Sequence, residues 1–282
     1  MDRSQSRERS RGAGRYAGDM IAHQRALSLH GADDGPLAAS AGSGSTGVAL
    51  FHGFTSGPVS VTGWARALAS AGASVEVPLL PGHGTRWQDL RVVTAEEWRA
   101  TARDTVDRLF ARHDRVVVAG LSMGGALALD AAAHRSVSGV VVVNPGLRFA
   151  SPAAPLARVL KYAVRSVAPI ANDAARPGVD EQAYPRTPVA AVQQVGALQA
   201  AARAGLPAIT APVLAFRSTT DRVVPHSSMA ALARGLAPGL LTVRPLYNSF
   251  HVATLDWDAG VIEDESVRFI AGLACGRADV RG

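Results

Sequence analysis

The apolar positions of this chain recur with two different periods, and the two alternate along its length. Short β-branched runs lie at Val48–Phe51, Ser74–Val77, Val116–Ala119, Val140–Val143, Val213–Phe216 and Leu240–Pro245. Several are apolar at successive positions, so both faces of the strand would be buried, as in a sheet covered by helices on each side. A further short strand is expected near Leu27–Leu29. Between these runs the spacing becomes helical. Thr94-Ala95-Glu96-Glu97 forms a capping box, in which the Thr94 hydroxyl can accept from the Glu97 backbone N–H while the Glu97 carboxylate reaches back. Trp98, Ala102, Val106, Leu109 and Phe110 then share one face. Strands alternating with helices in this way predict an α/β fold with a mostly parallel, doubly wound sheet.

The alternation breaks between Asn144 and about Pro207. Leu156, Val159, Leu160, Ala163, Val164 and Val167 predict one apolar helical stripe, and Thr187-Pro188 predicts the N-cap and first-turn proline of a second helix. Helices inserted between two strands, above the carboxyl ends of the sheet, would form a lid over a ligand crevice. The plainer alternative is that they thicken the core. The division expected is a disordered extension over 1–25, a core built from 26–144 and 206–275, and a helical cap over 145–205. The Gly/Ser/Ala-rich stretch at 38–47 reads as a loop.

Composition narrows the classes. A chain of 282 residues, 48% hydrophobic and 18% charged, suits one globular domain with a well-filled core and a small insertion. The formal charge of +6 would point to nucleic acid, but residues 1–15 hold five arginines against Asp2 and Glu8, so +3 of it sits in that stretch. Lys161 is the sole lysine, and there is no basic helix or interleaved aromatic run, so no nucleic-acid partner is expected. Cys275 is the only cysteine, which rules out a disulfide within the chain and suggests a reducing compartment, the cytoplasm. No segment approaches the roughly 20 apolar residues of a membrane span. The basic first residues lack an adjacent apolar run, so they do not read as a secretory signal, and their Ser/Arg/Gly composition predicts disorder.

The chemistry centres on Gly120-Leu121-Ser122-Met123-Gly124, between the run Val116–Ala119 and the helix-like stretch Gly125–His134. A serine on a strained strand-to-helix turn, with small neighbours that let two backbones pass closely, is a nucleophile elbow. The pentapeptide alone is a weak signal, and an exposed serine in a glycine-rich turn is the bland alternative. A serine hydroxyl needs a neighbouring base. For this arrangement the chain order is Ser, acid, His, and only His226 and His251 follow Val213–Phe216. His226 shares a loop with Asp221 and reads as a loop or lid residue; His251 follows the last strand and is taken as the base. Among the acids between Ser122 and His251 (Asp130, Asp173, Asp180, Glu181 and Asp221), only Asp221 directly follows a core strand. Its alternative is a helix N-cap or an Asx turn. Oxyanion donors are expected at the Met123 N–H and at the Phe54 N–H, in Phe51-His52-Gly53-Phe54. His52 and His83 read as structural residues. No metal-ligand spacing and no phosphate-cradling glycine loop are present, so neither a metal nor a cofactor is expected.

Five segments carry a family resemblance: Leu50-Phe51-His52-Gly53-Phe54-Thr55-Ser56-Gly57-Pro58, Leu80-Pro81-Gly82-His83-Gly84-Thr85, Gly120–Gly125, Asp221-Arg222-Val223-Val224-Pro225, and Asn248-Ser249-Phe250-His251-Val252-Ala253-Thr254-Leu255-Asp256. With them the chain resembles bacterial α/β-hydrolase carboxylesterases of the monoacylglycerol lipase type over about residues 47–272. The resemblance implies a Ser122, Asp221 and His251 triad with Phe54 and Met123 as oxyanion donors. It also implies a polyol-contacting Glu181 and an acyl-pocket Ile170. The implied substrates are monoacylglycerols or other short-to-medium acyl esters, with a transient contact between the cap and a lipid surface. Two rivals remain at this point: the same machinery acting on a thioester or lactone or as an acyltransferase, and a non-catalytic binding module. The departures are the arginine-rich extension, Thr219-Thr220 before the acid, and a cap rich in Ala and Arg.

Overall fold

Seven segments find each other as one sheet. They are β1 (Leu27–Leu29), β2 (Thr46–Phe51), β3 (Ser74–Val77), β4 (Arg115–Leu121), β5 (Gly139–Val143), β8 (Val213–Ser218) and β9 (Leu241–Leu246). The structure is a computed structural model and describes residues 25–31, 37, 45–151, 156–169 and 172–274. The expected disorder of residues 1–25 falls almost wholly outside the described residues, and Cys275 lies outside them. The strand order is β1-β3-β2-β4-β5-β8-β9, with β1 antiparallel to β3 and every other pairing parallel. β2 begins at Thr46, two residues earlier than the apolar run suggests. Thr46 pairs with Arg115 in the ladder, and its hydroxyl accepts from the Arg115 guanidinium at 3.0 Å, so backbone pairing extends the strand into the glycine-rich stretch.

Because side chains alternate across a strand, successive residues of each buried strand feed opposite cores. Ala49, Val118, Val142 and Ala215 face one layer, which holds α2 (Ala95–Phe110), α3 (Met123–His134) and α5 (Val189–Gly205). Val48, Val117, Val141 and Leu214 face the other, which holds α1 (Thr62–Ser70) and α7 (Ala259–Ala274). The capping box of α2 forms as expected: Thr94 Oγ1 accepts from Glu97 N at 3.3 Å, and Thr94 N donates to Glu97 Oε2 at 2.8 Å. The buried Trp98 and Trp64 indoles are satisfied, Trp98 by the Pro81 carbonyl at 2.9 Å and Trp64 by Ser266 Oγ at 3.1 Å.

The insertion after β5 departs from its periodicity. Within 156–167, only α4 (Ala157–Leu160) is an α-helix. The chain then turns, and β6 (Ser166–Val167) pairs antiparallel with β7 (Thr187–Pro188). Leu156, Val159, Leu160, Val164 and Val167 are exposed, so the predicted stripe is not a packed helical face. A helical period reports amphipathicity only. A segment this short is marginal as a helix without tertiary cover, and strand pairing takes over its far end. The same pairing corrects the second boundary. Thr187 is held extended opposite Val167, so Pro188 becomes the N-cap of α5 and no side chain caps the helix. His226, expected in a loop or lid, instead heads the α-helix α6 (His226–Gly235). There Pro225 ends the extended approach, and its carbonyl accepts from Ser228 N at 2.9 Å.

Candidate active site

Ser122 occupies a backbone conformation that an L-residue adopts only under constraint: φ 55°, ψ −113°, between β4 and α3. Such a conformation costs on the order of 1–3 kcal/mol and persists only where its surroundings enforce it. Here Ser122 N donates to the Val143 carbonyl at 2.9 Å, and the Ser122 carbonyl accepts from Gly146 N at 3.0 Å and Ala126 N at 3.2 Å. The flanking glycines are required by close approach. A Cβ on Gly120 would lie 2.2 Å from the Gly124 carbonyl oxygen, and one on Gly124 would lie 2.0 Å from the Phe51 carbonyl oxygen. Met123 is the first residue of α3, so its N–H has no intrahelical acceptor and stands at the positive end of the helix dipole. Gly53, Phe54, Ser122 and Met123 all line one cavity.

The fold brings Ser122, His251 and Asp221 together from three separate strand ends. His251 Nε2 lies 2.9 Å from Ser122 Oγ, and its Nδ1 lies 3.1 Å from Asp221 Oδ2. The Asp221 carboxylate is fully buried. Its Oδ1 accepts from Val223 N and Val224 N, both at 2.9 Å, and Oδ2 also receives Arg217 Nη1 at 2.7 Å. The bond to Val223 is an Asx turn, so the two sequence readings of Asp221 coexist: the turn aims the carboxylate at the imidazole. Burial, the largest influence, opposes ionisation. The hydrogen bond and charge of His251, the Val224 N–H and the Arg217 guanidinium together outweigh it and hold this carboxyl below the ordinary aspartate range. An arrangement of this kind can pass the serine proton to the imidazole while the carboxylate fixes the tautomer.

Several residues that position these groups were not picked out by the sequence. Asn144 (φ 45°) ends β5 and donates to the His251 carbonyl and to Ser218 Oγ, each at 2.9 Å, while its Oδ1 accepts from Ser218 N at 2.9 Å. Asp173 Oδ2 accepts from the backbone N–H of His251 and of Arg222, each at 3.2 Å, joining the loops that carry the imidazole and the carboxylate. Asp256 accepts from Phe250 N at 3.0 Å, Ala175 N at 2.6 Å, Arg176 N at 2.8 Å and Trp257 N at 2.8 Å. Asn144 directly follows a predicted strand at the carboxyl edge of the sheet, a signal that could have found it. Nothing local marks Asp173.

His52 and His83 are buried beneath the loop that carries Phe54, with ring centroids 5.0 Å apart. His52 Nε2 accepts from Leu80 N at 3.2 Å, and His83 Nε2 accepts from Thr55 N at 3.3 Å, so each ring presents a lone pair to a backbone N–H. Burial, with the His52 charge adding at His83, lowers their pKa values to about 4 and about 3, which keeps both rings neutral. They are structural, as expected. Tyr184 completes the cluster by donating to the Gly82 carbonyl at 2.9 Å and accepting from Thr85 N at 3.0 Å.

The cavity above Ser122 has a volume of about 480 Å³ and a mostly apolar lining. Phe149, Leu160, Val192 and Val195 form much of its wall; Asp173, Glu181, Arg222 and His251 also line it. Glu181 is buried, its Oε1 accepts from Asn172 N at 2.6 Å, and burial pushes its carboxyl pKa up. Ile170 lies outside the described residues. Among the described residues no group of three His, Cys, Asp or Glu side chains could hold a metal, and no helix is long and apolar enough to cross a membrane.

Comparison with known proteins places this geometry. Residues 48–263 match the model of the Alpha/beta hydrolase family. A thermostable monoacylglycerol lipase from Bacillus sp. (strain H-257) is 37% identical over 229 residues, 81% of this chain and 91% of the relative. Among solved structures, one from work on the metagenome-derived lipolytic enzymes LipS and LipT superposes with a TM-score of 0.80 at 33% identity, covering 88% of this chain and 97% of that one. The Paleococcus ferrophilus monoacylglycerol lipase shares the fold, with a TM-score of 0.71 at 18% identity over 88% of this chain and 98% of its own. By its sequence match over most of its length, and by the sheet that carries Ser122 on its strained turn, the chain belongs to the alpha/beta hydrolase family.

Proposed function

We propose that this protein is a serine carboxylic-ester hydrolase acting on monoacylglycerols or other short-to-medium acyl esters, with Ser122 as nucleophile, His251 as base and Asp221 as acid. The observation that carries the reading is the 2.9 Å approach of His251 Nε2 to Ser122 Oγ beside a mostly apolar cavity. The names of the Bacillus relative and of the LipS and LipT structure support the substrate class. Ser122 Oγ attacks the ester carbonyl carbon as His251 takes its proton. The resulting oxyanion is held by the Met123 and Phe54 N–H groups. Collapse expels the alcohol, which leaves with the proton from His251. Water, deprotonated by the same imidazole, then attacks the acyl-enzyme; the acid departs and Ser122 recovers its proton. No cofactor enters these steps.

In this reading residues 145–205 cap a core of 26–144 and 206–275, and the acyl chain lies between the two, with Ile170 among the apolar residues that meet it. Glu181 faces the polyol head group, a role supported by its place on the cavity wall. The exposed Leu156, Val159 and Tyr162, interspersed with Arg158 and Lys161, fit transient contact with a lipid surface. The single cysteine is consistent with the cytoplasm.

Turnover of p-nitrophenyl butyrate tests the core of the proposal. Ser122→Ala should lose roughly four to six orders of magnitude in kcat; wild-type turnover in that variant would remove Ser122 from the mechanism. For Glu181→Ala, the loss should fall on a monoacylglycerol and spare a methyl ester of equal chain length. Equal losses on both would reject the head-group contact.

A further inference from the structure

The cavity wall supplied by α5 follows one helical face: Val189, Val192, Val195 and then Gln199. From Val192 to Gln199 this wall runs about 10 Å along the helix axis. Gln199 is the last residue of α5 to line the cavity. One turn further on, Arg203 bonds to the Leu147 carbonyl and ties the helix to the loop opposite. Three valines followed by a primary amide is a break in the pattern. Gln199 is only 5% exposed, and that residual surface lies on the cavity wall. The neighbouring Gln194, by contrast, accepts from Ala95 N at 3.0 Å.

An amide on the wall of an open cavity can bond to water, and a ligand that fills the cavity takes that partner away. A saturated hydrocarbon chain would seal it off from water and leave two donors and one acceptor unpaired. An oxygen function on the chain would pair with it. The amide is neutral and its neighbours along the helix face are valines, so a neutral oxygen, a hydroxyl or a ketone, suffices to pair with it. The charged residues lining the cavity do not substitute for it. Asp173 is engaged at the His251 and Arg222 backbone, Glu181 with Asn172 N, and Arg148 and Arg222 are exposed, the latter paired with Asp173 at 3.6 Å.

We propose that Gln199 is a specificity-determining residue, and that the preferred acyl chains carry a hydroxyl or keto oxygen at the position that reaches it. This rests on the ester-hydrolase reading above and names the acyl class within it. A site built to hydrogen-bond a substrate oxygen discriminates strongly against the analogue that lacks it, because its own polar group is then left unpaired.

The test uses p-nitrophenyl esters of one chain length, one saturated and the others carrying a hydroxyl or keto group moved stepwise along the chain. In the wild-type protein, kcat/KM should peak at one or two adjacent positions, exceeding the saturated ester by about tenfold or more. In Gln199→Leu that peak should fall to within about twofold of the saturated ester, whose own kcat/KM rises. A wild-type protein that prefers the saturated chain to every oxygenated isomer overturns the inference while leaving the hydrolase reading intact. So does an undiminished peak in Gln199→Leu. The wild-type series needs no variant to fold. Turnover of none of these esters would sink the hydrolase reading and this inference together.

Discussion

The two sides of the cavity are built by opposite means. On the sheet side, polar groups around Ser122 are tied by hydrogen bonds. Asp221 accepts four hydrogen bonds, Asn144 joins β5 to the His251 loop, and Asp173 and Asp256 bind that loop to residues 172–176. On the opposite side, α4 is a single turn whose Val159 is 69% exposed and whose neighbour Tyr162 is 84% exposed. One side holds three side chains in fixed geometry through networks that leave little freedom. The other includes, at α4, a segment with large exposed apolar side chains, as expected where local opening is cheap.

The difference can be attacked first at its most rigid point. Asp221→Asn removes the charge while preserving shape, and kcat for p-nitrophenyl butyrate should fall by about 10⁴-fold, through loss of the correct imidazole tautomer. A loss of less than tenfold would show that His251 is oriented without the carboxylate.

Next comes the acid response of the same side. Buried His52 and His83 have pKa values lowered to about 4 and about 3, whereas in the unfolded chain they titrate near 6.5. Their contribution to stability is therefore complete above about pH 6.5 and is lost progressively as pH falls from there to about 4 for His52 and about 3 for His83. Each ring contributes on the order of a few kcal/mol. Urea midpoints between pH 7 and pH 4 should fall less steeply in His83→Gln than in the wild type. The carboxylates are common to both proteins and cancel in the comparison, so identical slopes would contradict neutral burial of His83.

Loosening the ties between the His251 loop and residues 172–176 should have a smaller effect. Asp256→Ala strands buried N–H groups and should lower kcat by about tenfold to a hundredfold with little change in KM, whereas Asp256→Asn, which keeps an acceptor, recovers part of it. A change confined to KM would place Asp256 in substrate binding. The smallest effect belongs to the opposite side. Val159→Ser with Tyr162→Ser should weaken partitioning onto phospholipid vesicles by about severalfold and leave p-nitrophenyl butyrate turnover within about twofold of wild type. Unaltered vesicle binding would reject the lipid contact.

The same contrast explains what could be read from the chain itself. Strand runs such as Val140–Val143 declare themselves because burial on both faces demands continuous apolar residues. Ser122 is legible because its turn admits only small neighbours, and Asp221 and His251 follow from the order of strand ends. Asp173 and Asp256 are not, since their partners here are backbone N–H groups, and a backbone partner leaves no trace in residue type; Asn144 shows only its place after a strand. The stripe at 156–167 misleads for the reverse reason. Its period describes which residues could share a face, while the structure it adopts depends on what covers that face, and β7 pairs with its end instead.

The most direct measurement is the site and rate of labelling by a fluorophosphonate, followed by intact mass and peptide mapping. A single adduct at Ser122 is predicted, absent in Ser122→Ala and formed at least a hundredfold more slowly in His251→Ala. An adduct that persists in Ser122→Ala, or labelling of Ser122 at an unchanged rate without the imidazole, would contradict activation of that serine by His251.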